Sequence, residues 1–243
     1  MIDKNLLDIR QAAKFIGVSI DTLRRWDHAG KLIAIRSGGK GSHRFYQKSV
    51  LELFLKNPFT LAKSWAFSQV PFEPEKDSYC TNSYIFQARL VRLESGLQKT
   101  PDIAPIAFLI TSITGEIGNN SFDHNLGSWP DINGIFFAYD INKRMVALAD
   151  RGHGILQTLQ KVRPALKNHI DALEVAFTEI VTGRAPEKRG NGLKYVRSVI
   201  AQSPINLLFQ SGDAQLKLKA YSDKLHLQKT DNNFHGCFAL IKF

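Results

Sequence analysis

The chain has 243 residues, of which 44% are hydrophobic and 22% charged, a balance that builds one large core or two smaller ones and argues against a disordered chain. Its two cysteines, Cys80 and Cys237, lie far apart with no CxxC spacing, so neither a disulfide framework nor a zinc site is indicated. The formal net charge of +10 is uneven, because residues 1–56 hold eleven Lys/Arg against five Asp/Glu, and this points to a polyanion partner for the front of the chain.

The start MIDKNLLDIR has no long apolar stretch behind a basic cluster, and the longest apolar-rich run, Ile103 to Ile113, is too short to cross a bilayer. A soluble, cytoplasmic chain with no membrane partner is the expectation. From Asp8 onward, Ile9, Ala12, Ala13 and Ile16 recur on one helical face, and Gly17 is placed to end the helix. Ser19 can cap a second helix in which Ile20, Leu23 and Trp26 are spaced for burial and Gly30 closes the run.

Two short helices joined by so brief a turn form a helix-turn-helix, whose second helix presents its exposed face to the DNA major groove. Ser19, Thr22, Arg24 and Arg25 lie at its start or on it. Leu32 to Arg36 then reads as a strand, Ser37 to Gly41 as a glycine-rich tip and Ser42 to Tyr46 as the returning strand, which makes a wing. Trp26, Phe45 and Tyr46 are expected in the core of this small domain rather than on DNA.

The run GVSIDTLRRWDHAGKL followed by GSHRFY resembles the DNA-binding head of the MerR and excisionase-like families over Leu7 to Leu55. That resemblance implies double-stranded DNA as partner, with the second helix in the major groove and Lys40, His43 and Arg44 of the wing on the adjacent backbone. Arginine suits this role because its fork bonds two phosphate oxygens or a guanine edge together. A helical stretch SVLELFLKN meets Pro58, after which the chain reads as less regular, so no long dimerisation helix is evident.

Residues 58–80, with Pro58, Pro71 and Pro74, read as a connection between domains 1–57 and 81–243, with Trp65, Phe67 and Phe72 packing it onto one of them. Beyond it, helices are expected over Tyr84 to Leu97 and Ile106 to Asn125. In the second, Glu116, Asn120 and His124 follow at intervals of four and return to nearly one face. Strands follow at Ile132 to Tyr139 and Arg144 to Ala149, and then come Asp150-Arg151-Gly152-His153-Gly154 and, later, Gly190-Asn191-Gly192-Leu193 ahead of a helix from Lys194 to Gln202. Strands at Ile205 to Gln210, Leu216 to Tyr221 and Cys237 to Phe243 complete the pattern.

In this order the three segments resemble the GHKL class of histidine-kinase and gyrase-type ATP-binding domains: E-x-x-x-N-S-x-x-H its N box, D-R-G-H-G a first glycine box and G-N-G-L a second. The resemblance covers residues 84–243 and implies an α/β sandwich with a mixed sheet and helices on one face. It further implies ATP and Mg²⁺ as ligands. In that frame Asp150 accepts from the adenine amine, Gly152 and Gly154 bring backbone to the nucleotide, and Asn120 offers an oxygen to Mg²⁺.

Glu116 would orient or deprotonate a water or acceptor hydroxyl near the γ-phosphate, and His124 would touch phosphate or support a lid. The amides of Gly190, Gly192 and Leu193 at a helix start would receive phosphate oxygens, with Lys188 and Arg189 beside them, and Thr182 to Arg189 is the candidate lid. The whole chain then reads as a DNA-binding regulator controlled by nucleotide or by a partner protein or second copy. The alternative is a kinase acting on a partner's serine or histidine, or a slow ATPase.

Overall fold

The computed structural model describes residues 5–28, 32–36, 38, 43–55, 57–180 and 192–243, and the chain divides into two compact units, residues 1–64 and 65–243. In the smaller unit β1 (Leu6–Asp8) leads into α1 (Ile9–Ile16), and Asp8 and Gln11 exchange side-chain and backbone hydrogen bonds in a capping box. Gly17 ends α1 with φ of 74°, a left-handed conformation open to glycine at little cost. Ser19 Oγ then accepts from the Thr22 amide at 3.1 Å and starts α2 (Ile20–His28).

Among the described residues the wing strands are β2 at Ile35–Arg36, which starts later than the sequence suggests, and β3 at Arg44–Gln47. β1 was not expected: its three residues are too few to display an alternating pattern, and only pairing with β3 reveals it, giving the order β1-β3-β2. Ala12, Ala13, Ile16, Leu23, Leu32, Tyr46 and Leu51 make the core, closed by α3 (Lys48–Leu55). Trp26 is half-buried and tilts against Phe54 at 5.1 Å.

The region expected to be irregular after Pro58 contains α4 (Pro58–Ala66), with the proline in the first turn, where its missing N–H costs nothing. The segment read as a connection over 58–80 is also no tether from Trp65 onward. Trp65 is 1% exposed, its indole donates to the Phe72 carbonyl at 2.7 Å, and Phe67 stacks on Phe234 at 4.2 Å. Of the aromatics expected to pack, Phe72 contributes its backbone while its ring stays half exposed.

The larger unit runs β4 (Tyr79–Cys80), α5 (Ser83–Gln98), α6 (Ala107–Asn125), β5 (Ile135–Asp140), β6 (Met145–Asp150), α7 (Gly154–Gln160) and α8 (His169–Thr178). It continues with α9 (Gly192–Ala201), β7 (Asn206–Ser211), β8 (Ala214–Leu218), β9 (His226–Lys229) and β10 (Cys237–Lys242). Seven strands form one sheet in the order β4-β5-β6-β10-β7-β8-β9. Alternate strand residues such as Phe137, Leu148, Phe209, Leu216 and Ile241 share one core with Phe86, Ile113, Ile117, Phe177 and Val196 of the helices, so helices cover one sheet face.

The expected α/β sandwich is therefore present, but the sheet is not mixed. Every pairing is antiparallel, because β10 inserts between β6 and β7, the two strands that the helical crossover would otherwise leave parallel neighbours. No helix among the described residues is long and apolar enough to cross a membrane.

Candidate functional site

One face of α6 and the ends of β6 and β10 enclose a cleft of about 370 Å³, counted out to solvent, that Asn120, Ser121, His124, Asp150, Gly154 and Leu193 line. Asp150 sits on its floor at the last position of β6 and is 2% exposed. Ser121 Oγ donates to one carboxylate oxygen at 2.7 Å and the Gly152 amide to the other at 2.9 Å. Burial nonetheless holds the Asp150 carboxyl above its usual range, since these donors and the nearby His235 only partly offset the loss of water.

The glycine turn after Asp150 is fixed by contact. A Cβ on Gly152 would lie 2.1 Å from Asn125 Nδ2, and Asn125 itself is buried, accepting from the His153 amide and donating to the Ser121 carbonyl. Gly154 has φ of 73°, and a Cβ there would meet Ser211 Oγ at 2.8 Å and the Gly236 carbonyl at 3.1 Å. Backbone thus lines this wall because no side chain fits.

At the other end α9 begins against α6. A Cβ on Gly192 would be 2.6 Å from Glu116 Oε2 and 3.4 Å from Asn120 Nδ2, so two segments 72 to 76 positions apart converge on the same helix face. Leu193 is 9% exposed and belongs to the core. His124 lies one turn beyond Asn120 and is exposed. The structure brings Asn120, His124, Asp150, Gly154 and Leu193 to one cleft, with Glu116 and Gly192 adjoining and Gly152 behind Asp150. Gly190 and the candidate lid, with Lys188 and Arg189, lie outside the described residues.

Several residues of the site escaped the sequence reading. Ser121 is the N-S of the N box yet gave no hint of pairing with Asp150, 29 positions on. Ser211 Oγ accepts from the Ile155 amide at 3.0 Å and donates to the Gly236 carbonyl at 2.9 Å, tying the start of α7 to the strand end. Arg151 is 2% exposed: it donates to Asp131 at 2.9 and 2.6 Å and to the carbonyls of Trp65 and Ser68 at 2.8 Å. A buried guanidinium within a glycine-rich turn has no local sequence signal, because its acceptors come from 20 to 86 positions away.

In the smaller unit Arg24 and Arg25 stand exposed on α2. Arg24 pairs with Asp21 at 2.9 Å, and Arg25 donates to Thr22 at 3.4 Å. His43 is exposed at the start of the returning wing strand, and Lys40 lies outside the described residues. Arg44 is differently placed: its Nε donates at 2.7 Å to Asp27, a carboxylate only 4% exposed that also binds Arg36 and the Ala34 amide. Although burial works against the charge, the Ala34 amide and the hydrogen bonds of Arg44 and Arg36 prevail and hold Asp27 at about 2. The guanidinium of Arg44 therefore joins the wing to α2.

A family model described as a helix-turn-helix domain matches residues 6–58. The type II methyltransferase M.Eco47II of Escherichia coli is 39% identical over 62 residues, which are 26% of this chain and 15% of that protein. Among solved structures, the ATPase domain of Thermus thermophilus gyrase B in complex with an aminocoumarin overlaps 64% of this chain and 40% of its own, at 15% identity and a TM-score of 0.33. The ATP-binding domain of Francisella tularensis topoisomerase IV in complex with a small-molecule inhibitor overlaps 54% and 35%, at 14% identity and the same score. The chain thus spans less than half of either structure and a small part of the methyltransferase. Residues 6–58 match a helix-turn-helix domain, and the larger unit is an α/β sandwich with helices on one face of an antiparallel sheet.

Proposed function

We propose that the chain is a DNA-binding regulator whose larger unit binds Mg-ATP and in doing so changes the affinity of the head for DNA or for a partner protein. The observation that carries this reading is the arrangement of the cleft: a buried carboxylate at one end, Asp150, and the glycine start of α9 against Glu116 and Asn120 at the other. Asp150 is oriented by Ser121 and Gly152 and suits the exocyclic amine of adenine, while the α9 start suits phosphate through its amides and helix dipole.

Among the described residues no group of three or more His, Cys, Asp or Glu can hold a metal ion. Mg²⁺ keeps its phosphates and waters as main ligands and would need only a single protein oxygen such as Asn120 Oδ1. Bound Mg-ATP would supply a transferable γ-phosphoryl group. The chain's own residues would bind the base at Asp150, hold the phosphates at Gly192 and Leu193, and place the Glu116 carboxylate beside them.

The nearness of Glu116 to the α9 start favours one second reading, a slow ATPase or a kinase acting on a partner's serine or histidine. DNA contacts are assigned to Ser19 before α2, to Thr22, Arg24 and Arg25 on it, and to Lys40, His43 and Arg44 of the wing, Arg44 through whatever its pairing with Asp27 leaves exposed. The test is duplex-DNA binding by the purified chain with Mg-ATP, Mg-ADP or no nucleotide, run beside ADP formation. Linkage demands that a nucleotide which binds and regulates shift DNA affinity or assembly; binding with no such shift refutes the regulator reading.

A further inference from the structure

The second face of the large sheet changes character along its width. Residues opposite one another on neighbouring strands share a face, so the registers define rows. One row reads Phe136, Ala149 and Phe238, then Gln210, Gln215 and Gln228. The next reads Ala138, Ala147, Leu240 and Leu208, then Lys217 and His226. The apolar half is covered, with Trp65 tilted on Phe136 at 6.3 Å. The half on β7 to β9 turns polar: Gln210 and Gln215 are buried there, while Asn206, Lys217, Gln228 and the neighbouring Lys242 of β10 are exposed.

Charge follows the same division. Residues 57–191 hold fourteen Lys/Arg and fourteen Asp/Glu, while residues 192–243 hold seven against three, so the entire basic excess beyond the head lies in this last stretch. The four strands β7, β8, β9 and β10 contain no Asp or Glu. Asp140, in line with Met145, Lys242 and Asn206, is the acidic residue of the neighbouring row, and it is paired with Lys143 at 3.1 Å. Lys229 faces the other way, opposite Ala214, and is paired with Asp213.

We propose that this open face, with Lys217 and Lys242 at its centre and Asn206, His226, Gln228 and Lys219 around them, is a second contact surface for duplex DNA, reading the phosphate backbone and not the bases. Ammonium, amide and imidazole donors on strands that carry no Asp or Glu are the groups that bind phosphate oxygens. Two strand spacings and two residues separate Lys217 from Lys242, which places their Cα atoms about 12 Å apart on a rigid frame. A head of some fifty residues makes few contacts alone, and a second surface adds affinity without adding sequence preference.

The inference rests on the head binding DNA, and the experiment separates the two. Full-length chain is titrated with a fluorescent duplex over a range of salt, as wild type, Lys217→Gln with Lys242→Gln, Lys217→Arg with Lys242→Arg, and Arg25→Glu. The glutamine pair is expected to bind roughly tenfold more weakly near 100 mM salt and to lower the salt slope by about 2, one counterion for each lost contact. The arginine pair is expected to restore both, and all variants to keep the wild-type melting temperature. Unchanged affinity and slope in the glutamine pair overturn the second surface. So does aggregation of that pair with an unchanged slope, which would mark these lysines as keeping an exposed sheet face soluble. Unchanged binding by Arg25→Glu instead removes the head reading, whatever the lysines do.

Discussion

Gly192 and Glu116 meet across α9 and α6: the glycine leaves room for a carboxylate oxygen that any Cβ at 192 would approach to 2.6 Å. The obstructed atom is the far end of a flexible side chain, so Glu116 can swing aside with little strain elsewhere. Gly192→Ala is therefore expected to keep the melting temperature within a few degrees, corresponding to about 1 kcal/mol or less, and to weaken ATP binding at least several-fold. Calorimetric titration and thermal melting of the same preparation test the pair of statements. A large loss of stability would show that the backbone, not Glu116, had to yield.

Asp150 poses a trade between stability and binding. Burial raises its folded-state value above the unfolded one, so the ionised form disfavours folding: its contribution is best below the unfolded carboxyl range and is lost as pH rises through the raised value. Asp150→Asn removes that cost and can still accept from the Gly152 amide while donating to Ser121 Oγ. The variant is expected to melt at or above the wild-type temperature near pH 7 and to lose ATP affinity by more than tenfold. Wild-type ATP affinity together with a raised melting temperature would place the base elsewhere.

The Arg151 guanidinium is held by Asp131 and by the backbone carbonyls of Trp65 and Ser68 at the start of the larger unit. Its neighbour in sequence is Asp150, so the same turn carries the buried carboxylate and the buried cation. Arg151→Met leaves these acceptors unpaired and should cost about 2–4 kcal/mol, somewhat less than a fully enclosed pair because Asp131 is 18% exposed. Chemical denaturation measures this. Lysine at 151 is expected to recover only part, since it cannot reproduce the fork that reaches both the carboxylate and the carbonyls.

Asp27 secures the wing through Arg36, Arg44 and the Ala34 amide. Its folded value of about 2 lies below the usual carboxyl range, so its stabilisation is complete above about pH 4 and is lost as pH falls toward 2. Asp27→Asn should destabilise the smaller unit by about 1–3 kcal/mol at pH 7 and reduce DNA affinity through a displaced wing. The difference in stability should shrink to a small remainder near pH 2, where the folded carboxyl is half ionised, and vanish below it. Persistence of the full difference there would show that Asp27 acts by packing instead of charge.

The sequence by itself determined the motifs and the helices α1, α2, α3, α5, α6 and α9. Regular 3.6-residue spacing, Gly17 and Ser19 at helix ends, and the four-residue interval from Glu116 to Asn120 to His124 are local, because a helix is closed by bonds within its own turn. The short strands β1, β4 and β9 were not legible, since two to four residues carry no period, and the helix at Pro58 was hidden because proline among polar and aromatic residues reads as an irregular connection. Only the tertiary structure decided that the last strand enters between β6 and β7, making the sheet wholly antiparallel, and that Arg44 turns to Asp27. It likewise decided that Ser121 and Gly152 serve Asp150 while Arg151 points away into a cage of distant carbonyls. These outcomes depend on partners tens of residues apart, and a buried charge or an inserted strand is satisfied only by what folding brings to it.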